Sequence, residues 1–432
     1  MKRLFTFILP TFLLAQSYPE VMSNLEHSLT LKSAQQLEIA AWESYRAAEG
    51  RNLPALDVSI SAVKFHEIPT ATFASTKLPM GTKNHTEGSL TLTYPLFSGF
   101  AISSSIEKAK YSHEKVLLEV ADLKRNLFLN ATKLYSSVAA ADEIIAAQEE
   151  AKNAITESYT KAKGLYDNGM LAPAELYAIE AKKFEIDAQI TESKNRKSQA
   201  LNQLTYLSGE KIKSAHIPVN TLPEIEENDI IAIALTQRED LLALAKSMDI
   251  AQSDITLARS RYYPNLALVG SLKGQGDSLE FDGDGYTNGN KSYAGIVASW
   301  NLFSGFSDVH TTEAAKAVKL ASVITLEDYK HRIATEISNT YLDIKATQSK
   351  IESSRMQVKA SAEYAKLIRG RFDNQLASAD ELSRSIADLA AVKAKASILA
   401  SELFNQTAIL WLEAGLSTYQ EKIHGTLSDQ QK

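Results

Sequence analysis

The chain has 432 residues, a formal charge of −6, 44% hydrophobic and 23% charged residues, and no cysteine. That is an ordinary globular balance with room for more than one domain. It excludes disulfides, thiolate metal sites and a lipid-bearing amino-terminal cysteine, and the mild acidity argues against a nucleic-acid binder, which carries a basic face.

Lys2 and Arg3, the apolar run from Leu4 to Leu14 and the small residues near Ala15 and Ser17 read as an export signal over residues 1–17. The mature chain therefore crosses the inner membrane. No later stretch approaches the roughly 20 consecutive apolar residues of a spanning helix. Alternating strands would escape such a search.

Everything after the signal is written twice. Residues 25–51 read as a helix that stops before Pro54, and residues 235–261 as its counterpart before Pro264, at a constant offset of 210 residues. Next come strands. Leu56, Val58, Ile60 and Ala62 alternate with Asp57, Ser59 and Ser61, and Leu90, Leu92, Tyr94 and Leu96 alternate with Thr91, Thr93 and Pro95. This is the period of two for a strand with one apolar face. The second copy supplies Leu266, Leu268 and Leu272, then Ala294, Ile296, Ala298, Trp300 and Leu302, with polar loops inside each pair.

Leu96-Phe97-Ser98-Gly99-Phe100 returns unchanged as Leu302-Phe303-Ser304-Gly305-Phe306, now at an offset of 206. Ser98 and Ser304 are placed to cap the helix that follows, and Gly99 and Gly305 allow the backbone to turn. Those helices, residues 101–163 and 307–369, contain neither Gly nor Pro over 63 residues, roughly 95 Å at ~1.5 Å per residue. Leu127, Ala131, Leu134, Val138, Ala141 and Ile145, and likewise Ile333, Ile337, Tyr341 and Ile344, make a narrow apolar seam suited to coiled-coil packing. Each helix ends in a Gly/Asp/Asn turn, followed by a returning helix over residues 174–208 and 380–414.

The domains expected are residues 18–208 as the first repeat, 209–229 as a linker packed on the outside, 230–415 as the second repeat, and 416–432 as a polar, frayed tail. Four strands of about ten residues cannot close a barrel, which begins near eight strands, so several copies must pool them. Tyr94, Phe97, Phe100, Tyr262, Tyr263, Trp300, Phe303 and Phe306 fall where strands meet helices. They suit an aromatic girdle at a membrane boundary, or a plug between sheet and bundle in a soluble protein.

The order helix, hairpin, unbroken helix, turn and returning helix, with Leu-Phe-Ser-Gly at the joint and Arg-Tyr-Tyr-Pro before a strand, resembles the TolC-like outer membrane efflux protein family. Arg238-Glu239-Asp240-Leu241 is similar to that family's Arg-Pro-Asp-Leu, with Glu239 in place of Pro. The resemblance implies a mainly α fold with a transmembrane β part. In such a homotrimer, four strands per chain share a twelve-stranded barrel in outer-membrane lipid, continued by a periplasmic α-helical barrel. It also implies a passive exit duct served by a periplasmic adaptor and an inner-membrane RND or ABC transporter.

By the same resemblance Gly169, Met170, Leu171 and Ala172, with Gln375, Leu376, Ala377 and Ser378, would be adaptor-docking tips, Met170 and Leu171 being exposed. The bland reading is two helix-reversing turns. Where TolC narrows its entrance with two Asp, this chain has Glu381 and Arg384, implying an entrance held by ion pairs between copies or, equally, a solvated local pair. Asp380 would be the N-cap of that helix.

Type I polypeptide secretion is the nearest alternative function, and a non-conducting periplasmic coiled coil a rival from another class. No enzyme, cofactor or metal reading has residues to rest on. Phe281-Asp282-Gly283-Asp284-Gly285-Tyr286 lacks the ordered calcium ligands, and His113-Glu114 lacks a second His, since position 117 is Leu117.

Overall fold

The computed structural model describes residues 17–215, 217, 226–283 and 289–421. Residues 1–16 of the export signal, Asp284 to Tyr286 of the acidic loop, residues 216 and 218–225 of the linker and residues 422–432 of the tail lie outside the described residues. In chain order the elements are α1 (Tyr18–Asn24), α2 (Leu29–Gly50), β1 (Ala55–Lys64), β2 (Thr70–Phe73), β3 (Thr76–Pro79), β4 (Asn84–Ser98), α3 (Ala101–Asp167) and α4 (Pro173–Ser208). Then follow α5 (Glu227–Gln237), α6 (Glu239–Arg259), β5 (Asn265–Gly276), β6 (Asp282–Gly283), β7 (Tyr293–Ser299), α7 (Ser307–Asp373), α8 (Ala379–Glu413) and α9 (Leu416–Tyr419). The chain divides into two compact units. One takes the chain up to Gln36, Leu118–Leu242 and everything from Asp328 on; the other takes Leu37–Leu117 and Ala243–Glu327.

In the second of these units, β1, β4, β5 and β7 pair antiparallel in that order. The ladder aligns Leu56, Leu92 and Gly270, and Val58, Leu90 and Leu272, on one face. It aligns Asp57, Thr91 and Ser271, and Ser59, Ser89 and Lys273, on the other. A period of two is thus converted into one apolar and one polar face, and Lys273 bridges Glu87 at 2.8 Å on the polar side. Every residue of β1 and of β7 is exposed, and each strand has one edge with no partner among the described residues. Pro95 fits within β4 because the ladder shifts register between it and Phe97, which spares the missing N–H.

Two expectations about the strands are corrected. The strand expected to reach Leu302 stops at Ser299, which is opposite Asn265, the first residue of β5, so further residues have nothing to pair with. The polar loop after β1 contains a separate hairpin, β2–β3. In the second copy Phe281 lies over the facing pair Gly88 and Gly274, where a Cβ on either would meet it at 3.2 or 3.1 Å.

The other unit is built from helices. Tyr18, Met22 and Leu25 pack with Phe128, Tyr135, Leu204, Phe404, Trp411 and Tyr419 in one core, and a second core joins Ile155, Ile179, Ile186, Ile368, Phe372 and Leu382. The seam residues Leu127, Ala131, Val138, Ile333 and Ile337 are buried, as their spacing requires.

The helix expected over residues 25–51 is broken at Ser28, and that over 235–261 at Arg238, matching positions of the repeat. Both residues have extended backbone (ψ 145° and 124°), and the Ser28 hydroxyl accepts from the Leu31 N–H at 3.2 Å. The expectation of an outside linker also changes, because Ile212 and Ala215 are buried in the first core. The tail is not frayed at its start. Leu416 and Tyr419 are buried, and the Tyr419 hydroxyl donates to that of Tyr18 at 2.7 Å, which in turn meets Thr132 at 2.6 Å. Complete burial pushes the Tyr18 phenol up to about 12. A four-residue helix has no period to betray it in sequence.

Candidate functional site

At the strand-to-helix joints, the Ser98 hydroxyl accepts from the Ile102 N–H at 3.1 Å and that of Ser304 from the Asp308 N–H at 3.4 Å. Gly99 and Phe100, like Gly305 and Phe306, take two successive left-handed conformations (φ 59° and 70°; 63° and 63°). The two joints differ in their surroundings. A Cβ on Gly99 would fall 2.4 Å from the Ser260 carbonyl oxygen, whereas one on Gly305 meets nothing within 4 Å. Phe97, Phe100 and Tyr263 pack edge to face, and Phe303 repeats the contact with Phe306 alone.

The two tips share one backbone. The Asn168 amide donates to the Gly164 carbonyl and that of Asn374 to the Gly370 carbonyl, both at 2.7 Å. Gly169 and Gln375 are left-handed (φ 72° and 60°), and the Met170 and Leu376 N–H groups each reach back to a carbonyl five residues earlier, both at 2.8 Å. This closes a helix end in the manner of a Schellman turn, so Gln375 does the work of glycine at some steric cost. Met170 and Leu376 are exposed, while Leu171 and Ala377 pack against the helical core. Leu171 is therefore not the exposed residue expected. Ala172 and Ser378 precede the returning helices, and Ser378, not Asp380, is the N-cap, accepting from the Glu381 N–H at 3.1 Å.

Beyond the tip, Arg384 is not paired with Glu381. Asp380 takes it with two contacts, at 3.1 and 2.7 Å, because i,i+4 geometry brings a carboxylate onto the guanidinium. Glu381 instead stands 3.7 Å from Arg371, whose guanidinium also donates to the Leu376 carbonyl at 3.0 Å. Arg369 pairs with Glu157 and Lys161 with Asp373 at 3.0 Å, tying α7 to α3.

A buried ionic cluster is not legible in the sequence as a site. Arg125 of α3, its side chain 3% exposed, meets Asp122, Asp240 at 3.0 Å and Glu239 at 3.6 Å. Asp240 also holds Arg238 at 3.0 Å and accepts from the Tyr329 hydroxyl at 2.5 Å. Glu239 accepts from the Leu416 N–H at 2.8 Å, and Gln237 from the Thr418 hydroxyl at 2.6 Å. Burial raises the Glu239 carboxyl, partly offset by backbone N–H groups and Arg125. It pushes Glu413 up to about 7, opposed by Arg238 and reinforced by Glu336. The cluster pins the break between α5 and α6 to α3, α7 and α9. Its one signal in the sequence is the Arg-Glu-Asp-Leu run, which by itself carries only a resemblance. His113 meets Glu38 at 2.9 Å beside Trp42, and no metal-holding cluster occurs among the described residues.

The model of the family described as outer membrane efflux protein matches residues 22–210 and again residues 230–408, one match per repeat. A curated relative, Nodulation protein T from Rhizobium leguminosarum bv. trifolii, is 25% identical over 138 residues. That match spans 32% of this chain and 29% of the relative. Among solved structures, the outer membrane protein VceC from Vibrio cholerae is similar with a TM-score of 0.79 at 16% identity, covering 92% of this chain and 96% of that one. The Campylobacter jejuni CmeC outer membrane channel has a TM-score of 0.79 at 16% identity, covering 95% and 88%.

Proposed function

This chain belongs to the outer membrane efflux protein family, whose members are channels rather than enzymes, and on that premise we propose that three copies form the exit duct of a tripartite system. Their sheets close one barrel in the outer membrane and their helices form a periplasmic tube. Substrates handed over by an inner-membrane RND or ABC transporter and its periplasmic adaptor pass through without chemistry. The observation that carries this reading is the two-faced sheet with an open edge at both ends, β1 and β7. Unpaired edges of that length are a liability in a monomer, and cyclic closure by identical copies removes them. Selectivity then comes from pore width and lining charge.

Within this duct Met170 and Leu376 are the exposed apolar contacts offered to the adaptor, backed by Leu171 and Ala377. The Arg371–Glu381 and Asp380–Arg384 pairs stand at the entrance and regulate its opening. Heat-modifiable trimers from the outer-membrane fraction, conducting ions in planar bilayers, are the expected result. Trimers that never conduct would favour the non-conducting coiled coil instead. In the same bilayers Glu381→Ala and Arg384→Ala are expected to change gating, and wild-type behaviour in both would remove the entrance assignment.

A further inference from the structure

The ladder between β1 and β4 does not stop at Lys64 and Asn84. The Phe65 N–H donates to the Lys83 carbonyl at 2.8 Å, the chain bends through Pro69 and Gly81, and a second ladder begins where the Met80 N–H donates to the Pro69 carbonyl at 2.8 Å. The β2–β3 hairpin is thus the bent distal end of the β1–β4 arm, and it pairs with no other strand among the described residues. Its register places Ala71 opposite Leu78 and Phe73 opposite Thr76 on one face, and Thr72 opposite Lys77 on the other.

This hairpin should not persist in water unaided. Two strands alone are marginally stable, and its turn residues Ala74 and Ser75 both take positive φ (44° and 74°) where Asn and Gly are favoured. Its large apolar side chains belong to neither hydrophobic core and are about half exposed or more. Phe73 is 62% exposed, Met80 56%, Ile68 48% and Leu78 46%. Around them stand Lys64, Lys77 and Lys83, none of which makes an ion pair among the described residues, against the single carboxylate of Glu67. An apolar patch with a cationic surround fits a surface that is oily beneath and phosphorylated on top.

The position of the hairpin selects that surface. It continues β1, whose row Leu56, Val58 and Ile60 is the exposed apolar face of the sheet. Ten tilted residues are about the length that crosses a bilayer's hydrocarbon, so the bend after Lys64 falls at headgroup depth. Resting on the outer-membrane reading above, we propose that the β2–β3 hairpin is a membrane-surface anchor. It lays Phe73, Leu78 and Met80 into the outer leaflet around its own barrel, while Lys64, Lys77 and Lys83 bind the phosphates of outer-leaflet lipid.

The chain's lack of cysteine makes the test direct. Full-length protein carrying Phe73→Cys, or Ile60→Cys as a control in the membrane-facing row, is labelled with an environment-sensitive fluorophore. It is then reconstituted into vesicles containing either lipopolysaccharide or phosphatidylcholine alone. At Phe73 in lipopolysaccharide, quenching by a lipid-borne nitroxide and roughly threefold protection from aqueous acrylamide are expected. That protection should fall in phosphatidylcholine, and also when Lys64, Lys77 and Lys83 are all changed to Gln. Full acrylamide access at Phe73, with Ile60 still quenched from lipid, overturns the anchor and leaves the hairpin as a surface for a soluble macromolecule. Self-quenching between Phe73 labels overturns it in favour of hairpins pairing across copies. Failure of lipid quenching at Ile60 removes the barrel reading itself.

Discussion

The helices α3 and α7 occupy the same place in the repeat, span 67 residues each and start one joint after the same five-residue motif, yet their flanks differ. In one unit α3 is bridged to α2 by His113–Glu38 and to α6 by Lys108–Asp254 and Lys246–Glu114. In the other it is bridged to α4 by Lys194–Glu149 and Lys152–Asp187, and to α8 by Lys393–Glu150. By contrast α7 carries Leu320, Ile324, Leu342, Met356, Tyr364 and Leu367, each more than half exposed. At about 100° per residue Leu320 and Ile324 share one face within their unit, and Leu342, Met356, Tyr364 and Leu367 fall within one arc of roughly 80° in the other. The matching positions of α3 are Glu114, Leu118, Ser136, Glu150, Ser158 and Lys161, mostly polar or small. Under the assembly proposed above, the apolar residues left open on α7 are where another chain would meet it. α4 offers a matching stripe in Tyr177, Phe184 and Tyr206.

The largest expected effect breaks this comparison outright. Leu320→Asp combined with Ile324→Asp should abolish SDS-resistant oligomers and bilayer conductance, while Glu114→Ala at the matching place on α3 should leave both intact, since a partly exposed ion pair such as Glu114–Lys246 contributes at most about 1 kcal/mol. Oligomers surviving the double change would mean the stripe is not the contact.

Next in size is Arg125→Met in the buried cluster. It strands Asp122 and Glu239 without their cation, leaves Asp240 to Arg238 alone, and should cost about 3 to 5 kcal/mol in denaturant unfolding. Arg371→Met at the exposed tip, by contrast, should cost less than about 1 kcal/mol.

Glu413 supplies a pH signature of comparable scale. Its folded pKa of about 7 lies above its ordinary value of 4.5. Below about 4.5 both states hold the proton. Between about 4.5 and 7 only the folded state does, so stability should fall as pH rises through that window and level off above it. The total is about 3 kcal/mol. Thermal unfolding at pH 5 and pH 8 should show the loss in the wild type and a much smaller one in Glu413→Gln.

The smallest effect sharpens the comparison at the joints. In a single chain Gly305→Ala faces only the left-handed backbone, about 1 kcal/mol, whereas Gly99→Ala also drives a Cβ into the Ser260 carbonyl. If copies assemble as proposed above, the repeat would bring a neighbour's turn near Gly50 to Leu53 against Gly305. In assembled protein, melting temperatures of the two variants should then converge.

How far the sequence reached depended on how local the physics was. The exact return of Leu-Phe-Ser-Gly-Phe, the uninterrupted helices and the period-two strands carry their structure in neighbouring residues, so architecture, joints and tips were legible. Even the tip without glycine kept its shape, because Asn374 closes the turn as Asn168 does. What escaped was set by partners far along the chain. Glu381 is drawn to Arg371 across the tip turn, which leaves Arg384 to Asp380. The breaks at Ser28 and Arg238 lie inside sequence that is helical by composition.

The repeated unit, its strand and helix periods and its turns are written into neighbouring residues, because those depend on backbone preferences and on which residues face one way. Folding alone brought Tyr18 and Tyr419, 401 residues apart, into contact. It also decided that charges from α3, α6, α7 and α8 converge around Arg125 and Arg238, and that one long helix is covered while its twin is left open. Those outcomes rest on packing between segments with no local signal, where a buried hydroxyl or guanidinium is stable only if distant partners arrive to satisfy it.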